Sequence, residues 1–316
     1  MDEFELIERI FHRGQDEKSW LSIGIGDDGA VLDVTPGKQS VVVMDTLVSG
    51  VHFLDSQPAE SIGHRALAVN LSDIAAMGAN PRWATLSLTI PDPNFEWLNA
   101  FAEGFFQLAQ NHGVVLVGGD TTAGPLAVSV TVGGEVDPQA VLRRSGAKPG
   151  DRIFVSGRLG GAAAALWCEE ASADRVLQQA LWYPQPRVAL GVELGRLVHS
   201  AIDLSDGLLA DLGHVLKASG DLGADIEVDQ VPLVDASVSL LEHRRALELA
   251  LGGGDDYELC FTAPETTSRE ILSLGCRLGL EIFCIGRVTP TGGCALLGGP
   301  SGLQGITPGY RHTWPK

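Results

Sequence analysis

The chain has 316 residues, 45% of them hydrophobic, which is length and apolar content for about two domains with proper cores. Forty acidic against 22 basic residues leave a formal charge of −18, which works against nucleic-acid backbones and anionic membranes as partners. The five cysteines (Cys168, Cys260, Cys276, Cys284 and Cys294) are odd in number, include no C-x-x-C pair and avoid the first half, so neither a disulfide framework nor a zinc ribbon is indicated. No apolar run approaches the roughly 18 residues of a membrane span, and the acidic start MDEFELIERIF lacks a basic region. The expectation is a cytoplasmic protein with no nucleic-acid and no membrane partner.

Phe4, Ile7, Ile10 and Phe11 recur at helical spacing and predict a short amphipathic helix over residues 3 to 13. AVLDV and SVVVMDTLV are β-branched runs separated by the turn TPGKQ, which reads as two paired strands. A helix follows from about Ser61 to Met77, stopped by Gly78 and the Asn80-Pro81 breaker. WATLSLTIP reads as a strand, NFEWLNAFAEGFFQLAQNHG as an apolar-faced helix ending at Gly113, and VVLVGG and LAVSVTVGGEV as further strands. The polar LRRSGAKPGD marks a domain joint, giving domains over residues 1–137 and 138–316.

The second half restarts with the strand DRIFVSG and a glycine turn, then helices over 162–170, 173–181 and 187–198. HSAIDLSDG predicts a strand ending in a turn, LLADLGHVLKASG a helix, and GADIEVDQVPL, ELCFTAP, FCIGRV and CALLGG more strands. The fold class is α+β, with two α/β-type domains. The glycine-rich end, SGLQGITPGYRHTWPK, is a loose tail or a folded-back lid.

Aspartates recur beside glycine turns and apolar runs, in GIGDDGA, VVMDTLV, NLSDIAAMG, VGGDTT, AIDLSDGL and GGGDDYE. Carboxylates gathered in one pocket repel by about 4 kcal/mol per pair at 4 Å and an effective dielectric of 20, so a cation must hold them together. Hard oxygen ligands select Mg²⁺ or a similar ion, and Mg²⁺ held by a few carboxylates usually brings substrate phosphates with it. GIGDDG at 24–29 matches G-x-G-x-x-G literally, but two aspartates fill the turn and a strand follows, so anions would be repelled there. Asp28, with Asp27 beside it, fits metal instead. Asp45, Asp120 and Asp203 are each expected at a strand end, and one shared site explains all three. Asp73 lies within a helix on the face of Ala66, Val69, Asn70 and Met77, so it needs a metal, a cation such as Arg65 or Arg82, or hydrogen bonds. One of Ser205 and Asp206 is suited to cap the following helix, leaving the other for metal. Asp255, Asp256 and Glu258 stand at a strand entrance, as substrate contacts or as a turn. There is no P-loop, so if ATP binds, its phosphates must meet metal and scattered groups such as Arg143, Arg144, Lys148 and the N–H groups of SGRLGG, the basic cluster otherwise reading as a solvated linker.

The order GIGDDGA, MDTLVSGVHF, ALAVNLSDIAAMGANP, VGGDTT, RSGAKPGD, AIDLSDGL, GGDDYELCF closely resembles the thiamine-monophosphate kinase family of the aminoimidazole-ribonucleotide synthetase superfamily over essentially the whole chain. The resemblance implies ATP as co-substrate, thiamine monophosphate as acceptor, several Mg²⁺ ions and a homodimer formed through the N-terminal domains. By motif position it implies Asp28, Asp45, Asp73, Asp120, Asp203 and Asp206 as Mg²⁺ ligands and Gly119, Arg144 and Ser205 as ATP contacts. His52, Asp255 and Tyr310 match substrate-binding positions, with Trp314 a second tail aromatic able to stack on thiamine rings. Two departures stand out: Met44 replaces a hydroxyl residue before the Asp of DTLV, and GGDD replaces GGED, which shortens the reach of Asp255 by one methylene. A phosphate monoester with a second pKa of about 6 is largely deprotonated at neutral pH, so no catalytic base is expected and transfer is expected to be direct and in-line.

Overall fold

The computed structural model describes residues 10–11, 18–167, 169–300, 303, 306 and 309–310. The helix expected over residues 3 to 13 lies outside them except for Ile10 and Phe11, both buried, and Trp314 lies outside as well. The chain divides into two compact units, Met1–Ile74 with Ala79–Pro138 and Ala75–Gly78 with Gln139–Lys316.

Elements of the first unit are β1 (Leu21–Ile23), β2 (Val31–Leu32), β3 (Gln39–Val48), α1 (Ala59–Ala76), β4 (Asn80–Ile90), α2 (Phe95–His112), β5 (Val115–Ala123) and β6 (Ala127–Val136). Among the described residues β3, β6, β4 and β5 form one sheet in that order, antiparallel except for the β4/β5 pair that α2 connects. Along β3 the side chains alternate: Val41 and Leu47 are buried, whereas Val42 and Met44 are 60% and 61% exposed. Ile74 of α1 packs against Gly134, the register partner of Val41, so α1 covers the Val41 face and the Met44 face stays open. Asn94 caps α2 by accepting from the Trp97 N–H at 3.0 Å, and Gly113, at φ +66°, ends it. Phe101 and Phe105 on the inner face of α2 are fully buried.

Helices α1 and α2 touch backbone to backbone. A Cβ on Gly63 would lie 1.9 Å from the Phe101 carbonyl oxygen, and one on Gly104 would lie 1.9 Å from that of Glu60. The second unit holds β7 (Arg152–Ser156), α3 (Gly161–Ala165), α4 (Glu169–Ala173), α5 (Arg175–Trp182), α6 (Val188–Leu194), β8 (Ser200–Asp203), α7 (Leu208–Ala218), β9 (Gly223–Glu227), α8 (Asp235–Leu240), α9 (His243–Gly252), β10 (Leu259–Ala263), α10 (Ser268–Leu278), β11 (Ile282–Thr289) and β12 (Gly293–Leu297). Its sheet runs β12-β9-β11-β7-β10-β8, with only the β12/β9 pair parallel. Phe154 and Phe261 stack at 5.5 Å between ring centroids at its centre.

Several elements differ from expectation. The AVLDV strand pairs with Leu21–Ile23 and not with SVVVMDTLV, which pairs with β6 alone among the described residues and forms the edge of its sheet. Asn80-Pro81 stops the helix but also opens β4, where a register shift between Pro81 and Trp83 accommodates the missing N–H. Asp45 and Asp120 lie inside β3 and β5, three residues short of the ends, whereas Asp203 does end β8. Helices α8, α9 and α10 occupy stretches in which no element was expected.

The glycine contact between α1 and α2 is tested by Gly63→Ala and Gly104→Ala, each expected to destabilise the chain by about 1–3 kcal/mol in chemical denaturation. Gly213→Ala on α7, where a Cβ meets nothing within 4 Å, should instead be neutral or stabilising by up to about 1 kcal/mol.

Candidate active site

The acidic residues gather in each unit separately. In the first, a cavity of about 830 Å³ is lined by Asp27 and Asp28 from the GIGDDG loop and by Gly119 and Asp120 from β5, with Phe11, Ile25 and Leu116 among its apolar walls. Strand β5 reaches this cavity because Gly119 lies against Leu86 of β4: a Cβ there would sit 1.9 Å from the Leu86 carbonyl oxygen. In the GIGDDG loop the Asp28 N–H donates to Asp27 Oδ1 at 2.8 Å, and both residues are exposed.

Asp45 shares the inward face of β3 with Val41 and Leu47, and this parity brings it to Asp73 on α1. Burial pushes the Asp45 carboxyl above its usual range, while its hydrogen bond with Asp73 and the nearby His52 pull it back. Two carboxyl groups in hydrogen-bond contact share a proton or a cation, since two bare carboxylates would repel. Arg82, considered as a partner for Asp73, instead pairs with Glu135 at 3.7 Å and lies over the Trp20 ring. The turn after β3 fixes His52: its Nδ1 accepts the Val48 N–H at 3.0 Å, so the neutral ring carries its proton on Nε2.

In the second unit Asp203 is buried at the end of β8, with Ser205 exposed and Asp206 half-buried in the following turn. Neither Ser205 nor Asp206 caps α7. The cap position is Gly207, at φ +118°, and the Asp206 and Gly207 N–H groups both donate to Asp211 Oδ2 at 3.1 Å. Asp211, in the first turn of α7, was not singled out by the sequence reading. Burial raises its carboxyl to a pKa of about 7, and Asp203 and Asp206 add to the shift. Tyr310, half exposed, donates its backbone N–H to the Asp206 carbonyl at 3.1 Å, which brings this part of the tail beside the same turn.

Arg144 is exposed on a loop held from several sides: Ala201 N–H donates to the Arg143 carbonyl at 2.8 Å, and the Gly146 and Ala147 N–H groups both donate to Ser219 Oγ at 3.1 Å. Asp255 is half-buried and stands at φ +67°. The SGRLGG turn is less open to phosphate than expected, because the Gly160 N–H donates to Asp256 Oδ1 at 2.8 Å. Among the described residues no group of three or more His, Cys, Asp or Glu side chains forms a ready metal cage. The candidate ligands fall into the Asp28/Asp120 cavity, the Asp45/Asp73 pair and the Asp203/Asp206 turn. Their all-oxygen chemistry and the mutual repulsion of their carboxyls fit a hard divalent cation.

Two family models cover most of the chain: the AIR synthase related protein N-terminal domain matches residues 26–136 and its C-terminal domain matches residues 148–298. The chain belongs to the AIR synthase related family. It is 46% identical over 298 residues to the thiamine-monophosphate kinase of Escherichia coli K12, covering 91% of this chain and 90% of that one, and 38% identical to that of Bacillus subtilis, covering 91% of each. The crystal structure of thiamine-monophosphate kinase from Stenotrophomonas maltophilia superposes with a TM-score of 0.88 at 45% identity, over 94% of this chain and 97% of that one. AaThiL, solved in complex with AMPPCP and TMP, superposes with a TM-score of 0.75 at 30% identity, over 93% of each chain. Within the family the chain stands with the thiamine-monophosphate kinases. Among the described residues no helix is long and apolar enough to cross a membrane.

The raised Asp211 carboxyl makes stability depend on pH when divalent ions are chelated. The unfolded chain releases this proton near pH 4 and the folded chain near pH 7, so between those values the unfolded state binds fewer protons and stability falls as pH rises, by up to about 4 kcal/mol. Asp211→Asn, which keeps an acceptor for both N–H groups, should flatten that part of the profile in urea unfolding at pH 5 and pH 7.5; an unchanged slope would contradict the assignment.

Proposed function

We propose that the chain transfers the γ-phosphoryl group of ATP to thiamine monophosphate, giving thiamine diphosphate and ADP, by direct in-line transfer with several Mg²⁺ ions, as a cytoplasmic homodimer. The observation that carries this reading is the likeness to AaThiL, which holds AMPPCP and TMP together and matches the chain over 93% of its length. Asp28, Asp45, Asp73, Asp120, Asp203 and Asp206 are the residues that would hold Mg²⁺. When bound, the metal supplies positive charge to the phosphate oxygens and lowers the repulsion between donor and acceptor.

The chain's own groups align the substrates. Gly119 lines the cavity of the first unit, where its backbone would meet ATP, and Arg144 and Ser205 would supply charge and a hydroxyl to it. His52, with Nδ1 engaged by the Val48 N–H and the ring beside Asp45, is proposed as a contact to the acceptor substrate and not as a base. Asp255, Tyr310 and Trp314 complete the proposed contacts to thiamine monophosphate. The acceptor phosphate enters largely deprotonated, so positioning and charge neutralisation take the place of a catalytic base. The open face of the first unit's sheet, with Val42 and Met44 exposed, supports pairing with a second copy.

Incubation with ATP, Mg²⁺ and thiamine monophosphate should yield thiamine diphosphate and ADP in equal amounts. Asp45→Asn and Asp120→Asn should each lower kcat by more than about 100-fold, roughly 3 kcal/mol in the transition state, with unchanged circular dichroism. Near-full activity of both variants would contradict the proposed ligand set. Light scattering should give twice the chain mass, and Met44→Asp should shift it toward the monomer.

A further inference from the structure

Three loops of the second unit meet at the segment from Gly254 to Glu258. Gly254, Asp255 and Tyr257 have φ of +72°, +67° and +52°, a left-handed conformation that aspartate tolerates and tyrosine rarely adopts. Backbone bonds tie this corner to the Asp203–Asp206 turn: the Asp255 N–H donates to Ser205 O, the Tyr257 N–H to Leu204 O, and the Leu204 N–H to Glu258 O, each at 2.8 Å. The side chain of Asp256 ties it to the glycine turn at 157–161, and that of Glu258 ties it to Ser156, the strand end that leads into this turn, and to Arg187. Asp256 Oδ1 accepts the Gly160 N–H at 2.8 Å. Glu258, buried, accepts from Ser156 Oγ and from Arg187 Nε, both at 2.6 Å, and from a second guanidinium nitrogen of Arg187. The fit leaves no slack: a Cβ on Gly157 would lie 2.0 Å from Glu258 Oε1.

We infer that Asp256 and Glu258 are positioning residues, a clamp that holds the glycine turn at 157–161 against the left-handed corner and so fixes the backbone that presents Asp255 to the acceptor substrate. This rests on the proposed role of Asp255 in binding thiamine monophosphate. The two carboxyl groups do their work differently. Burial raises the Glu258 carboxyl, while the grip of two Arg187 nitrogens and of the Ser156 hydroxyl favours its charged form. Asp256 acts through shape: Oδ2 is sealed from solvent with no hydrogen-bond partner among the described residues, and burial beside Glu258 and Asp255 raises its carboxyl well above the usual range. A protonated Asp256 still accepts from Gly160 through Oδ1, and so would an asparagine.

The test compares Asp256→Asn, Asp256→Ala and Arg187→Lys with the unaltered full-length chain. Amide hydrogen exchange over residues 157–161 should be unchanged in Asp256→Asn and at least about tenfold faster in Asp256→Ala, because the latter removes the acceptor for Gly160. In the kinase assay Asp256→Ala and Arg187→Lys should raise KM for thiamine monophosphate about tenfold, with kcat and KM for ATP within about threefold, whereas Asp256→Asn stays near the unaltered chain. Equal damage by Asp256→Asn and Asp256→Ala, unchanged exchange in both, or losses spread evenly over kcat and both KM values would overturn the clamp. If the unaltered chain makes no thiamine diphosphate, it is the functional reading that fails, and the exchange measurement alone then supports or overturns the clamp.

Discussion

Like charges brought within reach of one another set the terms on which this chain folds. Asp45 meets Asp73 across a strand and a helix, and Asp211 is buried beside Asp203 and Asp206 at the end of β8. In a chain with 40 acidic and 22 basic residues, few cations are available to answer this crowding from within. Without a bound ion, protons must take up part of this charge: burial raises the Asp45 and Asp211 carboxyls, and Asp203 and Asp206 push Asp211 further up. A divalent ion would replace those protons and turn an electrostatic liability into a binding site for phosphates, which the chain's negative charge would otherwise repel.

The rest of the architecture delivers these groups. Strand parity turns Asp45 inward toward α1 while leaving Met44 on the open face. The bare backbone of Gly119 lets β5 lie against Leu86 and carries Asp120 into the same cavity as Asp28. The contact between α1 and α2 through Gly63 and Gly104 keeps the helix bearing Asp73 close to its neighbour. Backbone closeness, obtained by omitting side chains, is thus as much a part of the site as the carboxylates.

Much of this was legible in the sequence, and the gaps have physical reasons. The Asn94 cap, the Gly113 stop and the apolar spacing of α2 are local signals, so that helix came out almost to the residue. Pairing partners are not local. Nothing in AVLDV says that it pairs backward to Leu21–Ile23, since a turn sequence is compatible with either partner. Helices α9 and α10 lacked polar N-terminal caps bonded to their first turns, although Ala246, Leu247, Ala250 and Leu251, and Ile271 and Leu274 before Gly279, carried a helical period. Site aspartates were recognisable by their glycine-flanked motifs, but their placement inside strands was not, because an aspartate after an apolar run reads as a terminus. Asp211 escaped notice since one acidic residue in a helix's first turn is common, and only the fold shows it capping the turn between Asp206 and Gly207. Arg187 was missed for a similar reason: its partner Glu258 is 71 residues away in the chain.

The account turns on whether the acidic groups need a divalent ion before they accept a polyphosphate. Titration calorimetry of a non-hydrolysable ATP analogue, first with chelator and then with excess Mg²⁺, measures this directly. The account predicts binding at least about 100-fold tighter with Mg²⁺, a difference of about 2.7 kcal/mol. Equal affinity under the two conditions would contradict it.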